Sequence, residues 1–449
     1  MVSRTVVVGG GAAGIGAAGA AKAVDPTGEV MVFTEYEDAA YSPCGIPYVH
    51  GKEIPDFQAL FLASKQQYVD AGIDIHYETP VQSIDVNTRT VTVPGMGQVS
   101  YDRLVLATGW DYADPGVPGG NLDGLYYVKN IRRAIEWDKV LDDVKVAVVV
   151  EAGPLGLEMV TALAHRDIET HLIDPHPWAL AEAADPDIVQ PVQESWAEMG
   201  VTMHFNTTLR EFVGEGGRLR AVKTTDGELP ADVAVISTHK VPNTRLARSA
   251  GLAIGSTGGI IIDQHMATSA PGVWAAGDCC EVVHGVNNVP LQGLSGSHAY
   301  AQGKVAGTCA AGGSRSYQPV YVPWGMVAGK WMIGGVSFGE TLATALGVPY
   351  VTGVANGISR ARYYPGVKKL RVKLLAEPDT RRLIGAQMVG QEGIKERADF
   401  LAMAVKTGIT LDDLATMENV YSPPIGALNE PIALAATNGL ASASHAGRK

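Results

Sequence analysis

The sequence predicts an α/β chain with two nucleotide-type βαβ units and an α+β tail, and three observations carry that prediction. The apolar run Thr5-Val6-Val7-Val8 leads into Gly9-Gly10-Gly11-Ala12-Ala13-Gly14 and then a small-residue helix reaching Val24. The run from Lys145 to Val150 leads in the same way into Glu151-Ala152-Gly153-Pro154-Leu155-Gly156 and a second helix. From about residue 320 the pattern changes to strand, turn, strand and helix, with no nucleotide motif of its own. A buried strand ending in a glycine turn at a helix N-terminus is the outline of a Rossmann-like dinucleotide-binding domain.

In the first unit Gly9 permits the tight turn, Gly11 lets a pyrophosphate approach the backbone, and Gly14 allows close packing of helix on strand. The helix N-terminus at Ala12 and Ala13 then meets the phosphate charge. The second strand, Glu29 to Phe33, ends at Thr34-Glu35, where Glu35 can accept hydrogen bonds from a ribose. Tyr101 to Gly109 reads as a buried strand running into a turn at Thr108-Gly109. The second unit repeats the plan: a strand from Thr170 to Ile173 ends at Asp174, and Val233 to His239 is the counterpart of Tyr101 to Gly109. This is a duplicated domain, not a solenoid. Thr268 to Asp278 is a short strand ending in a Gly-Asp pair, able to bring the Asp278 carboxylate onto a ribityl hydroxyl. In the tail, Leu370 to Leu375 and Leu383 to Val389 read as strands flanking Pro378-Asp379-Thr380, a hairpin. Ile394 to Thr407 has helical spacing, and Thr410 with Asp413 makes a capping box for the next helix.

Composition narrows the function. A chain of 449 residues exceeds one compact core, so two or three domains are expected. Its 53 glycines favour tight turns and close approach of backbone to ligand. The net charge of −12, with no basic block, disfavours nucleic-acid and anionic-membrane partners. No apolar stretch is long enough to span a bilayer, and the first strand begins too early to leave room for a signal peptide. Four cysteines make no disulfide framework, which points to the reducing cytoplasm. Cys279, Cys280 and Cys309 read as packed small hydrophobes.

The fourth cysteine, Cys44, stands in Tyr41-Ser42-Pro43-Cys44-Gly45-Ile46-Pro47-Tyr48, a rigid entry to a helix whose N-terminus would lower the thiol pKa. It has no partner at Cys-x-x-Cys or Cys-x-x-x-x-Cys spacing, so one thiol must cycle through a mixed disulfide, a persulfide or a sulfenic acid. This run, together with Gly9 to Gly14, Ala275-Ala276-Gly277-Asp278, and the pair Tyr363-Tyr364-Pro365-Gly366 and Tyr421-Ser422-Pro423-Pro424, resembles the pyridine nucleotide–disulfide oxidoreductases. The resemblance runs over nearly the whole chain and is greatest to the single-cysteine branch of coenzyme A disulfide reductases, persulfide reductases and NADH oxidases.

That resemblance implies an FAD-binding domain from residues 1–112 and 245–318, an NAD(P)H-binding domain at 113–244, and a dimer-interface domain at 319–449. It gives Asp278 the flavin ribityl chain and places Thr108-Gly109 at the crossing between the nucleotide domains. It implies a homodimer in which Tyr421, with Tyr363 or Tyr364, donates a hydrogen bond to the thiolate leaving the partner subunit's cysteine. The expected activity is FAD-dependent NAD(P)H:disulfide or persulfide reduction through Cys44. The alternatives are an NADH oxidase cycling through a sulfenic acid, and a flavoprotein with an impaired nicotinamide site that senses redox state or uses another donor.

Departures from the family pattern sit mostly in the second unit. Glu151 stands where the family has the first glycine; a non-glycine at φ > 0 costs about 1–2 kcal/mol, and its carboxylate would repel a pyrophosphate. His239 in Ser237-Thr238-His239 stands where the family has the glycine of Ala-Thr-Gly. A Glu151–His239 pair across the nicotinamide path and a tolerant backbone are both open readings. If a nicotinamide binds with Gly153 and Gly156 at its pyrophosphate, Asp174 favours a free ribose 2′-hydroxyl, hence NADH over NADPH. His176 reads as a solvated loop residue. The first helix carries only Lys22 as a basic residue, which speaks against coenzyme A specificity, and Glu35 sits one position later than the family's acid.

Overall fold

The computed structural model, which describes residues 2–293, 295–317 and 319–446, has two five-stranded parallel sheets, a five-stranded antiparallel sheet in the tail and four smaller antiparallel sheets among the described residues. The chain divides into two compact units. The first gathers residues 1–46, 55–113 and 239–320, and the second gathers 47–54, 114–238 and 321–449.

The first unit is built on a five-stranded sheet in the order Val273–Ala275, Arg103–Leu106, Arg4–Val8, Glu29–Phe33, Ile73–His76, every pair parallel. Its central strands are continuous Val and Leu runs because helices or loops cover both faces; Val6, Val7, Leu104 and Val105 are fully buried. The helices Ala12–Val24 and Gly296–Ala310 share the core cluster that includes Val7, Ala17, Ala18 and Ala306. Alanine and glycine at these positions let the helices approach closely. Cys279 and Cys280 lie in the cluster on the other face, as small apolar residues, whereas Cys309 is only half-buried. A two-stranded ribbon pairs Trp110–Tyr112 with Lys240–Pro242.

The second unit repeats the parallel design in the order Thr202–Phe205, Glu169–Asp174, Val146–Val150, Val233–Ile236, Leu125–Tyr127. The strand Val233–Ile236 runs into its turn at Ser237, as its counterpart Arg103–Leu106 does at Ala107. Ser237 still donates its N–H to Val150, but its hydroxyl turns to accept from the N–H of Gly156. The tail forms a five-stranded antiparallel sheet containing the expected hairpin, as Lys369–Ala376 and Leu383–Gly390. The helix Ile394–Thr407 has the expected bounds, and the Thr410–Asp413 capping box is formed. Lys373, almost wholly buried, holds Asp185, Asp187 and Glu340 around its ammonium group, and Asp185 also accepts from the first N–H groups of the helix Glu340–Ala345. Among the described residues no helix is long and apolar enough to cross a membrane.

Candidate active site

The first glycine turn is shaped by two close approaches. Gly9 has φ +114°, and a Cβ there would stand 2.1 Å from the Ala107 carbonyl oxygen. A Cβ on Gly14 would stand 1.9 Å from the Gly9 oxygen. No side chain larger than hydrogen fits at either place. Gly11, by contrast, faces open space at the N-cap of the helix Ala12–Val24, which has no side-chain cap and no acidic residue in its first turn. The N–H groups of Ala12 and Ala13 therefore border an uncapped, positively polarised helix end, and this cradle fits a dinucleotide pyrophosphate.

The neighbouring groups of this unit are set by backbone ties. Asp278 follows Gly277, whose φ is +85° and whose N–H donates to Gln302 Oε1 at 2.8 Å. The Asp278 carboxylate is nearly buried, and Lys240 Nζ lies 3.6 Å from it and 4.4 Å above the Trp110 ring. A buried carboxylate beside the cradle is suited to accept hydrogen bonds from a polyol chain. Lys240 is a neighbour that the sequence pattern did not announce. Thr108 donates its hydroxyl to the Asn243 carbonyl at 2.6 Å, and Gly109, at φ +66°, accepts from the Asn243 N–H. Glu35 is exposed just beyond the strand end, while Thr34 is buried there.

Cys44 is exposed in the 3₁₀ turn Pro43–Gly45, with Pro43 at the first position, and the helix that follows is only Ile46–His50. Tyr48 of that helix donates its hydroxyl to Glu158 Oε1 at 3.0 Å, within the second unit. Burial pushes the Glu158 carboxyl up to about 7, and the Tyr48 hydrogen bond, which favours the carboxylate, offsets only part of it. Sequence reasoning passed over Glu158. The available signal was an acid placed between Leu157 and Met159 on an otherwise apolar helix, one turn beyond the second glycine turn.

In the tail, Tyr363 and Tyr421 are brought together with their hydroxyl oxygens 2.8 Å apart, and both line an open groove of about 1010 Å³. Tyr364 is separate from this pair; its N–H closes a turn onto Ala361. The bond to Tyr421 raises the Tyr363 phenol above its ordinary range.

The second glycine turn keeps the shape of the first with fewer open donors. Glu151 has φ +69°, the left-handed conformation that its place in the motif predicts. The Ala152 N–H donates to Asp174 Oδ2 at 2.7 Å, Pro154 has no N–H, and the Gly156 N–H is taken by Ser237. Asp174 is buried, and its Oδ1 accepts from the His176 N–H and lies 2.8 Å from His176 Nδ1. A ribose hydroxyl would have to share oxygens that are already engaged. Gly153 is an N-cap without a side-chain cap, and the first helical turn holds no acid, so the turn still fits a pyrophosphate through its remaining N–H groups. His239 is exposed at the start of the ribbon, its carbonyl accepting from Ala113.

Residues 3–303 match the pyridine nucleotide-disulphide oxidoreductase family, and residues 325–431 match the pyridine nucleotide-disulphide oxidoreductase dimerisation domain. The chain is 34% identical over 445 residues to an NADH oxidase of Methanocaldococcus jannaschii, covering 97% of this chain and 98% of that protein. It is 31% identical over 448 residues to an NAD(P)H coenzyme A polysulfide/persulfide reductase of Pyrococcus horikoshii, covering 96% and 97%. The structure of an NAD-dependent persulfide reductase from A. fulgidus superposes with a TM-score of 0.94 at 30% identity, covering 99% of this chain and 84% of that one.

Proposed function

Because the chain belongs to the pyridine nucleotide-disulphide oxidoreductase family, we propose that it is an FAD-dependent enzyme passing electrons from NADH through Cys44 to a disulfide or persulfide; relatives that act on coenzyme A-linked sulfur support that substrate class, while the single basic residue of the first helix, Lys22, weighs against it. The observation that carries this reading is the exposed Cys44 in its Pro-Cys-Gly turn, set apart in sequence from the other three cysteines. The overall reaction balances as NADH + H⁺ + RSSR → NAD⁺ + 2 RSH; a persulfide RSSH likewise gives RSH and H₂S.

FAD, when bound, accepts the hydride and delivers the electron pair to sulfur. Gly9, Gly11, Ala12, Ala13 and Gly14 would hold its pyrophosphate, Asp278 its ribityl chain, and Glu35 its ribose, with Thr108 and Gly109 fixing the crossing strand. The Cys44 thiolate attacks the substrate sulfur, forming a mixed disulfide and expelling a thiolate. Tyr421 and Tyr363 would donate hydrogen bonds to that leaving thiolate in the partner subunit of a homodimer, a role supported by their mutual contact and the matched dimerisation domain. Gly153, Gly156 and Asp174 would receive NADH, more weakly than an all-glycine turn because Pro154 lacks an N–H, Ser237 occupies that of Gly156, and the Glu151 carboxylate would repel the pyrophosphate. The proposed domain division is residues 1–112 with 245–318 for FAD, 113–244 for NADH and 319–449 for dimerisation, with residues 239–244 packing in the first compact unit. The free cysteines favour the cytoplasm.

The Methanocaldococcus relative supports a second reading, in which oxygen is the acceptor and Cys44 cycles through a sulfenic acid. The left-handed Glu151 supports a third, a flavoprotein that draws on another donor or senses redox state. Replacing Cys44 by serine separates the first two from the third. Sulfur reduction should fall by several orders of magnitude while NADH still bleaches the flavin. If the substitution leaves turnover with coenzyme A disulfide and persulfide unchanged, the proposal fails.

A further inference from the structure

A pair of histidines on adjacent strands of the second unit lies outside all the machinery above. His171 belongs to the strand Glu169–Asp174 and His204 to the edge strand Thr202–Phe205, in register with Ile173. Their facing nitrogens, His171 Nδ1 and His204 Nε2, are 3.1 Å apart. The far nitrogen of His171, Nε2, lies 3.2 Å from Glu169 Oε1. With Nε2–H donated to that carboxylate, Nδ1 of His171 carries its lone pair toward His204.

We propose that His171 and His204 form a binding site for a divalent transition metal of the zinc, copper or nickel class, with Glu169 orienting His171 from behind. Two nitrogens at zinc–nitrogen distance from a tetrahedral ion stand roughly 3.3 Å apart, so the observed spacing needs a shift of only a few tenths of an ångström. A carboxylate on the far nitrogen of a ligating histidine is the usual support of such sites, fixing the tautomer and raising ligand basicity. Imidazole suits these three metals. Both rings are half-buried, which leaves the remaining coordination positions to water. In the absence of metal the same two nitrogens share one proton, His204 Nε2–H donating to His171 Nδ1.

The test is calorimetric titration of zinc into the FAD-loaded full chain carrying Cys44→Ser, so that the exposed thiol does not compete. One equivalent should bind in this parent and be lost in both His171→Ala and His204→Ala, with flavin content confirming that each variant is folded. Glu169→Gln should bind with affinity lower by about 10- to 100-fold. A parent that binds no zinc at micromolar concentration overturns the site, as does an equivalent that survives both histidine substitutions.

Discussion

Replacing Glu158 with glutamine removes a titration that the fold holds far from its ordinary place. The carboxyl sits at about 7 instead of 4.5 because burial disfavours its charge. At about 1.4 kcal/mol per tenfold change in proton affinity, that displacement is worth about 3 kcal/mol. Below 4.5 the group is protonated in both folded and unfolded chains, and its contribution to stability is fully present. As pH rises from there to about 7 the unfolded chain ionises while the folded one keeps its proton, so stability is lost across that window and levels off above it. Glutamine cannot ionise. The stability of Glu158→Gln relative to the parent should therefore rise by up to about 3 kcal/mol between about pH 4.5 and pH 7.5 and then flatten. Urea unfolding followed by tryptophan fluorescence at fixed FAD concentration reads this difference. Tyr48→Phe sharpens the test: without the phenol donor the carboxyl moves higher still, extending the window upward. A difference that stays constant over the whole range would show that Glu158 titrates as an ordinary surface acid, and the reasoning would be refuted.

Glu151→Gly should stabilise the chain modestly, by about 0.5–1 kcal/mol, since relief of left-handed strain exceeds the added freedom of the unfolded chain. It should also tighten NADH by at least about tenfold, or about 1.4 kcal/mol, read as a dissociation constant by fluorescence titration. Gly14→Ala drives a methyl group into the Gly9 carbonyl, so any protein that folds should purify without flavin, as its absorbance spectrum will show. Lys373→Met leaves Asp185 buried without its cation and should cost about 3–5 kcal/mol in denaturant unfolding.

Local rules made much of this fold legible. The glycine turns, the left-handed backbone at residue 151, the tail hairpin, the helix Ile394–Thr407 and the Thr410 cap all follow from neighbours within a few residues. Legibility ended where one side chain met another far along the chain. Tyr48 and Glu158 are 110 residues apart, Lys373 and Asp185 are 188 apart, and neither pair leaves a periodic trace. Tyr363 and Tyr364 could not be told apart by motif, since what distinguishes them is which phenol reaches Tyr421.

The central claim is that NADH electrons reach sulfur through a bound flavin and Cys44. Anaerobic addition of NADH to the purified protein, followed by coenzyme A persulfide or disulfide, tests it in one cuvette. The account predicts a yellow protein whose flavin absorbance is bleached by NADH and restored by the sulfur substrate in the parent but not in Cys44→Ser. A colourless protein, or a flavin that NADH reduces and the substrate reoxidises equally well without Cys44, would contradict it.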